Sequence, residues 1–489
     1  MNRRTLTALC LAACLVVPFA GVALASARAH GLAWKECGDG LRCADLIVPV
    51  DWADPGGPKT AVHVAMLPAT GRSSGPLIVN FGGPGTSTVM LRPAAGPDTP
   101  PELPALLKEL RRHFDVIAVD PRGMSEQITG KAVSCAEPAA SVFGLIIART
   151  KDDWDAHAAQ NAAHQAGCRK AARSAWRGLT ARNVAHDLDA LRDRLGQEKL
   201  RYAGNSYGTV YAQAYLELFP QRVGRIYFDG TADHTQPSLE AWLRSYALTQ
   251  ERHLTRFHDW CARRKSCALH GRDAGKAWDE LVARARRAPL PATSGRTVHE
   301  GQLYAGAVNG MTPPRWPMLA TAIRKALDGD ATDFLTVLGP EEGSSSVGGD
   351  SLCNDFMPDL PTYEEFQAIE SRLRAIAPRF GWVEGRFELG RCWGRSGGAS
   401  WAPHPLRVRG DIPPLLFAIG DLDNNTNYLG QQRVAAQIPS ARVLTHGDGH
   451  ASWAGNSCLR RHVLAYLTAG ALPAPGAHCP AERIQEVGK

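Results

Sequence analysis

The sequence predicts a doubly wound, mostly parallel α/β sheet that carries a large helical insertion. Three observations predict it. Short continuous apolar runs at 76–80 and 116–119, suited to strands buried on both faces, alternate with helical spacing in the first half of the chain. That alternation stops near Gln236 and resumes after Pro405. Residues 200–218 read as strand, tight turn and helix, and the turn is Gly204-Asn205-Ser206-Tyr207-Gly208.

The elements follow in order. Leu46, Ile47, Val48 and Val50 suggest a first strand, and Val62, Val64 and Met66 a second by their alternation. The run at 76–80 leads into Phe81-Gly82-Gly83-Pro84-Gly85, whose glycines can turn backbone N–H groups towards a ligand. A helix at 103–112 and a strand at 116–119 complete a strand–helix–strand unit, which implies a right-handed parallel crossover. After an insertion bounded by Cys135 and Cys168, Thr180 can cap a helix with Val184, Leu188, Leu191 and Leu195 on one face. Residues 225–230 form the strand after the Ser206 turn. Amphipathic stretches at 239–254, 274–287, 302–308, 317–327 and 363–375 then dominate, with a Gly/Ser-rich loop at 343–349. The α/β pattern closes with strands at 414–419 and 441–444 and helices at 428–437 and 458–467. The expected organisation is a signal segment at 1–29, the first part of the core at 30–235, a helical cap at 236–405 and the second part of the core at 406–489.

Arg3 and Arg4, an apolar stretch over 6–25 and small residues near Ala25 and Ala29 have the form of a secretory signal. Leu11-Ala12-Ala13-Cys14 offers a competing lipoprotein acylation site. No later segment is apolar enough for stable membrane insertion. The formal charge of +7 includes three arginines that precede the first acidic residue, Glu36; with no basic stripe, the composition argues against nucleic-acid binding. Ten cysteines follow the signal, an even number that suggests five disulfides in an exported chain. Pairing of neighbours is the simplest connectivity: Cys37 with Cys43, Cys135 with Cys168, Cys261 with Cys267, Cys353 with Cys392 and Cys458 with Cys479. Neither Cys-x-x-Cys nor His-Glu-x-x-His is present, so no metal or other cofactor is expected.

A serine hydroxyl needs a base to become a nucleophile, and in a parallel sheet the strand C-termini share one edge. The loops expected there are Gly420-Asp421-Leu422-Asp423-Asn424-Asn425-Thr426 and Thr445-His446-Gly447-Asp448-Gly449-His450. The order Ser, Asp, His is that of the α/β-hydrolases. Ser206 is the candidate nucleophile, His450 the base and Asp423 its orienter. The N–H groups of Gly83 and Tyr207 are candidates for the oxyanion hole. Asp421 and Asp229 are alternative acids, and His446 an alternative base. Trp316, Trp382, Trp393 and Trp401 are candidates either for pocket walls or for core.

A family resemblance covers nearly the whole mature chain. Its carriers are Gly82-Gly83-Pro84-Gly85, Asp120-Pro121-Arg122-Gly123, Asp187-Leu188-Asp189-Ala190-Leu191-Arg192, Gly204-Asn205-Ser206-Tyr207-Gly208-Thr209, Phe219-Pro220, Asp229-Gly230 and the two loops just named. On these the chain resembles secreted bacterial tripeptidyl aminopeptidases, relatives of the proline iminopeptidases. The resemblance favours Ser206, Asp423 and His450 over their rivals. It implies metal-free release of tripeptides or other short pieces from peptides with a free N-terminus. It also implies acidic groups in the cap that bind the substrate's α-ammonium, for which Asp355 is the candidate. Two departures touch substrate choice: Asn427 stands where the family usually has Pro, and Met124-Ser125-Glu126 replaces its usual Gly-x-Ser. The alternatives are a carboxylesterase or lipase on the same fold, and a hydrolase-fold binding protein without turnover. Oligomeric state is not encoded in any motif found.

Overall fold

A computed structural model of the chain describes residues 31–93, 99–125, 132–337, 346–357, 359–396 and 401–482. The expected signal segment, Cys14 and positions 343–345 lie outside the described residues. Twelve strands are present among those described. In chain order they are β1 (Lys35–Glu36), β2 (Arg42–Pro49), β3 (Lys59–Leu67), β4 (Pro76–Asn80), β5 (Asp115–Val119) and β6 (Leu200–Asn205). Then come β7 (Val223–Asp229), β8 (Leu290–Pro291), β9 (Thr297–Val298), β10 (Leu415–Leu422), β11 (Ala441–Gly449) and β12 (His478–Cys479).

Ten of them form one sheet in the order β1-β2-β3-β5-β4-β6-β7-β10-β11-β12. The first four are joined antiparallel, and every pair from β5 through β4 to β12 is parallel. β8 and β9 make a separate hairpin. The central strands are apolar at consecutive positions because helices cover both faces. Ile78, Ile117, Phe228 and Phe417 point to the face covered by helices Ala181–Arg194 and Gly208–Leu218. Their neighbours Val79, Ala118, Tyr227 and Leu416 point to the other face, under helices Leu103–Leu110 and Ser457–Ala469. Phe228 stacks on Phe417 with ring centroids 4.2 Å apart, joining β7 to β10 across the inserted residues between them.

Between β7 and β10 the regular elements among the described residues are helices, apart from the β8–β9 hairpin. The stretch expected to end at 254 continues as one helix, Leu239–Arg263. Gly348 and Gly349, read from sequence as part of a loop, instead open helix Gly348–Phe356. Helices Lys151–Ala172 and Val383–Cys392 were not anticipated. The first buries a stripe of Trp154, His157, Asn161, His164 and Cys168, helical in spacing but half polar, so hydrophobic periodicity does not reveal it. Its polar members are satisfied: His157 Nε2 lies 2.7 Å from the Gly390 carbonyl, and Asn161 Nδ2 donates to the carbonyls of Gly390 and Trp393. The insertion between Cys135 and Cys168 therefore packs with the helices that follow β7, although the sequence boundaries assign it to the sheet core.

The cysteines stand as disulfides between neighbours in sequence, Cys37–Cys43, Cys135–Cys168, Cys261–Cys267, Cys353–Cys392 and Cys458–Cys479. No helix among the described residues is long and apolar enough to cross a membrane. Trp316, Trp382, Trp393 and Trp401 are all buried in the core clusters.

The Phe228–Phe417 contact gives a direct check on this architecture. Phe417→Ala should destabilise the protein by about 3–5 kcal/mol through lost burial and a cavity. Urea unfolding measures it, and a loss under about 1 kcal/mol would mean that the two strands do not pack as described.

Candidate active site

The site lies at the C-terminal edge of the sheet, where β4, β6, β7, β10 and β11 deliver their loops side by side. Ser206 follows β6 and takes φ +51°, a left-handed conformation uncommon outside glycine. Its surroundings have no room for larger neighbours. A Cβ on Gly82 would fall 2.7 Å from Ser206 Cβ, and one on Gly208 would fall 2.7 Å from Asn80 Oδ1. A Cβ on Gly204 would meet the Gly208 carbonyl at 2.8 Å. The glycines of the motif, with Gly82 from the β4 loop, thus allow the packing that keeps the serine in its strained turn.

His450 follows the last residue of β11 and is 15% exposed; its Nδ1 lies 2.9 Å from Asp423 Oδ2. Asp423 is fully buried just past β10 and well supplied with donors. Oδ1 accepts from the N–H groups of Asn425 and Thr426, and Oδ2 from Thr426 Oγ1 and Gln431 Nε2. Burial alone would raise this carboxyl, but His450 and the Thr426 bonds outweigh it and hold it down at about 2. For His450, burial works against protonation, while the charge and hydrogen bond of Asp423, helped by Asp229, prevail and push the imidazole up. Gly230 makes room for the ring, since a Cβ there would stand 2.8 Å from His450 Nδ1.

The alternatives do not hold the His450 ring. His446 lies within β11, buried in register with Gly420 and Cys479. Asp421 lies within β10 and Asp229 at the end of β7. Neither hydrogen-bonds His450; Asp423 does.

Ser206, His450, Gly83 and Tyr207 line one cleft of about 590 Å³. The N–H groups of Gly83 and Tyr207 donate to no other residue among those described. No hydrogen bond joins Ser206 Oγ to His450 among the described residues, a looseness common before substrate binds. The walls carry Trp242, Tyr246, Phe356 and Phe387, and two acids, Glu384 and Glu388, one turn apart on helix Val383–Cys392. Glu384 Oε2 accepts from Gln250 Nε2, and Arg391 stands 3.8 Å from Glu388. Burial raises both carboxyls, and Glu384 is raised further by the charge of Glu388. A cation entering between them would relieve both penalties.

Asp355 is placed differently from the sequence expectation. It is fully buried, does not line the cleft, and accepts from Ala181 N–H and, at 2.6 Å, from the Tyr207 hydroxyl. Burial pushes its carboxyl up to about 7 despite those donors. It props the ring of Tyr207 from behind. Sequence reading missed Glu384 and Glu388. The available signal was two acids at i and i+4 in a helical block, which by itself describes many exposed helix faces. His164 with Cys135–Cys168, and His462 with Cys458–Cys479, bring His and Cys atoms together, but their sulfurs are in disulfides and not free thiolates.

Residues 75–452 match the family model described as the alpha/beta hydrolase fold. The chain belongs to the α/β-hydrolase family. Serine protease Hip1 of Mycobacterium tuberculosis is 29% identical over 474 residues, covering 90% of this chain and 87% of that protein. A tripeptidyl aminopeptidase of Streptomyces coelicolor is 24% identical over 498 residues, covering 94% and 88%. Carboxylesterase B of M. tuberculosis is 28% identical over 470 residues, covering 90% and 86%. This α/β-hydrolase is a serine hydrolase enzyme, similar to peptidases of the family and also to an esterase.

Two outcomes test the site. A base must be neutral to accept a proton, so kcat/KM should fall as pH drops through the raised His450 pKa, with its midpoint above 6.5, the ordinary histidine value. A midpoint at or below that value would contradict the Asp423–His450 coupling. Asp423→Asn should lower kcat on the order of 10⁴-fold, as loss of the orienting carboxylate does in other triads. Asp421→Asn, assayed in parallel, should stay within about 3-fold of the parent, because a residue that shares no partner with His450 is energetically independent of it. Equal losses would remove Asp423 from its special place.

Proposed function

We propose that this enzyme is an exported serine aminopeptidase that releases tripeptides or similarly short pieces from peptides with a free N-terminus. The observation that carries the reading is the Glu384–Glu388 pair in the cleft that also holds Ser206 and His450. Glu384 and Glu388 are buried carboxyls whose ionisation an entering cation would favour, with Arg391 near Glu388 and Arg315 also on the cleft wall. The α-ammonium of a peptide is the cation that would present its own chain to the serine. The acidic anchor suggested by the resemblance is thus assigned to Glu384 and Glu388, with Asp355 supporting Tyr207.

In this reading His450 takes the proton of Ser206 Oγ as the oxygen attacks the scissile carbonyl. The N–H groups of Gly83 and Tyr207 hold the oxyanion, and Asp423 stabilises the imidazolium. His450 then protonates the departing amine, the C-terminal part of the substrate leaves, and water activated by His450 releases the N-terminal piece from the acyl-enzyme. Export is supported by the signal-like N-terminus and by five disulfides, which persist in oxidising compartments. An esterase would use the same Ser206 and His450 but leave the buried acid pair without a role.

A matched peptide pair, free and N-acetylated, separates these readings. The free peptide should be shortened from its N-terminus and the acetylated one left intact, with the fragment mass giving the length released. Cleavage of neither, with aryl esters still hydrolysed, would favour the esterase. Glu384→Gln should lower kcat/KM for the free peptide on the order of 10²-fold, chiefly through KM, while sparing aryl esters.

A further inference from the structure

The strongest feature outside the roles assigned so far is Asp229, a carboxylate buried at the end of β7. It bonds to both segments on which the chemistry depends. Its main-chain carbonyl accepts from the Ser206 N–H at 2.9 Å, and also from Asn205 Nδ2. Its Oδ2 accepts from Asn205 Nδ2 and from the Trp453 N–H, each at 3.3 Å. Trp453 is three residues beyond His450, in a tight loop where Ala451 is held at φ +55° and Ser452 Oγ bonds back to the Gly449 carbonyl. Ser206 and Ala451 are both non-glycine residues at positive φ. Such conformations persist only where the surroundings over-determine them, and Asp229 is the residue that bonds next to both.

Its charge also matters. The ionisable groups around it are His450, Asp423 and, on its own strand, Tyr227. Burial pushes Asp229 up to about 6, with His450 and the Trp453 N–H opposing the rise and Asp423 adding to it. Asp229 in turn favours the charged form of His450. Asp423, supplied with donors on both oxygens, orients the ring; Asp229 is the second negative charge within its reach.

We propose that Asp229 is a positioning residue that ties the Ser206 turn to the His450 loop and, as a second carboxylate whose next residue, Gly230, packs against the imidazole, stabilises the imidazolium formed during attack. The inference rests on Ser206 and His450 acting as nucleophile and base. Asp229→Asn retains an oxygen that can accept from Trp453 and removes the charge. The expected result is a roughly 10- to 100-fold loss in kcat at nearly constant KM, with the acid limb of kcat/KM displaced to lower pH because His450 has lost one of two favourable charges. Asp229→Glu keeps the charge on a longer arm; it should hold the limb close to the parent position while lowering kcat.

A purely structural Asp229 would change the melting temperature and leave the limb of the folded fraction where it was. An unmoved limb with parental kcat in folded Asp229→Asn would overturn the proposal, as would parental kcat in Asp229→Glu. Ser206→Ala and His450→Ala are assayed alongside. If both are inactive while the Asp229 variants match the parent, this inference fails alone. If either retains parental turnover, the assignment of nucleophile and base fails with it.

Discussion

The strained turn at Ser206 is the constraint on which the rest of the site depends. A serine at φ +51° is disfavoured locally, so the surrounding chain has to enforce it. β4 and β7 flank β6 on either side and supply that enforcement. From β4 come Asn80 and Gly82, which close on Gly208 and on the serine itself; from β7 comes the carbonyl of Asp229, which accepts the serine N–H. The same close approach sets Gly82 against the Tyr207 N–H, and Gly83 and Tyr207 line one cleft with their N–H groups unused. Parallel pairing then sets the remaining distances. β10 and β11 lie next in the sheet, and their C-terminal ends carry Asp423 and His450 to the same edge.

A sheet edge of this kind supplies chemistry, and the helices over it shape what can enter. Helix Val383–Cys392 carries Glu384 and Glu388 into the cleft, and its position is fixed from several sides. Cys392 is bonded to Cys353, on the helix that also holds Asp355 beneath Tyr207. Its Gly390 carbonyl is taken by His157 and Asn161 of helix Lys151–Ala172. Arg386, on the same helix, bonds Glu370 and the carbonyls of Leu145 and Ala148. Holding two carboxylates close together in a buried wall costs free energy, and this dense set of contacts keeps them there. The consequence is a cleft wall on which two buried acids stand with Arg391, a polar feature that an apolar acyl pocket would not have.

Much of the architecture was legible in the sequence because its physics is local. Fully buried parallel strands declare themselves as apolar runs, and β4, β5, β7 and β10 each contain one. The Gly-x-Ser-x-Gly turn is legible because only small residues fit beside it. The order of Ser206, Asp423 and His450 could be read because each follows a strand in a sheet whose C-termini share an edge. What stayed hidden was non-local. Helix Lys151–Ala172 buries histidine and asparagine, whose cost is met by carbonyls far away in sequence, as the 229-residue separation of Asn161 from Gly390 illustrates. Asp355 and the Glu384–Glu388 pair look alike as letters. Their difference, a carboxylate enclosed under Tyr207 against two facing a cleft, exists only once the helices have packed.

The central claim is that Ser206 is a nucleophile made reactive by His450, and covalent capture tests it most directly. The intact protein would be treated with a fluorophosphonate and the modified residue located by peptide mass spectrometry. The account predicts one phosphonyl group per chain, on Ser206, and labelling slowed by orders of magnitude in folded His450→Ala. Modification at another serine, or labelling of Ser206 at an undiminished rate without His450, would contradict it.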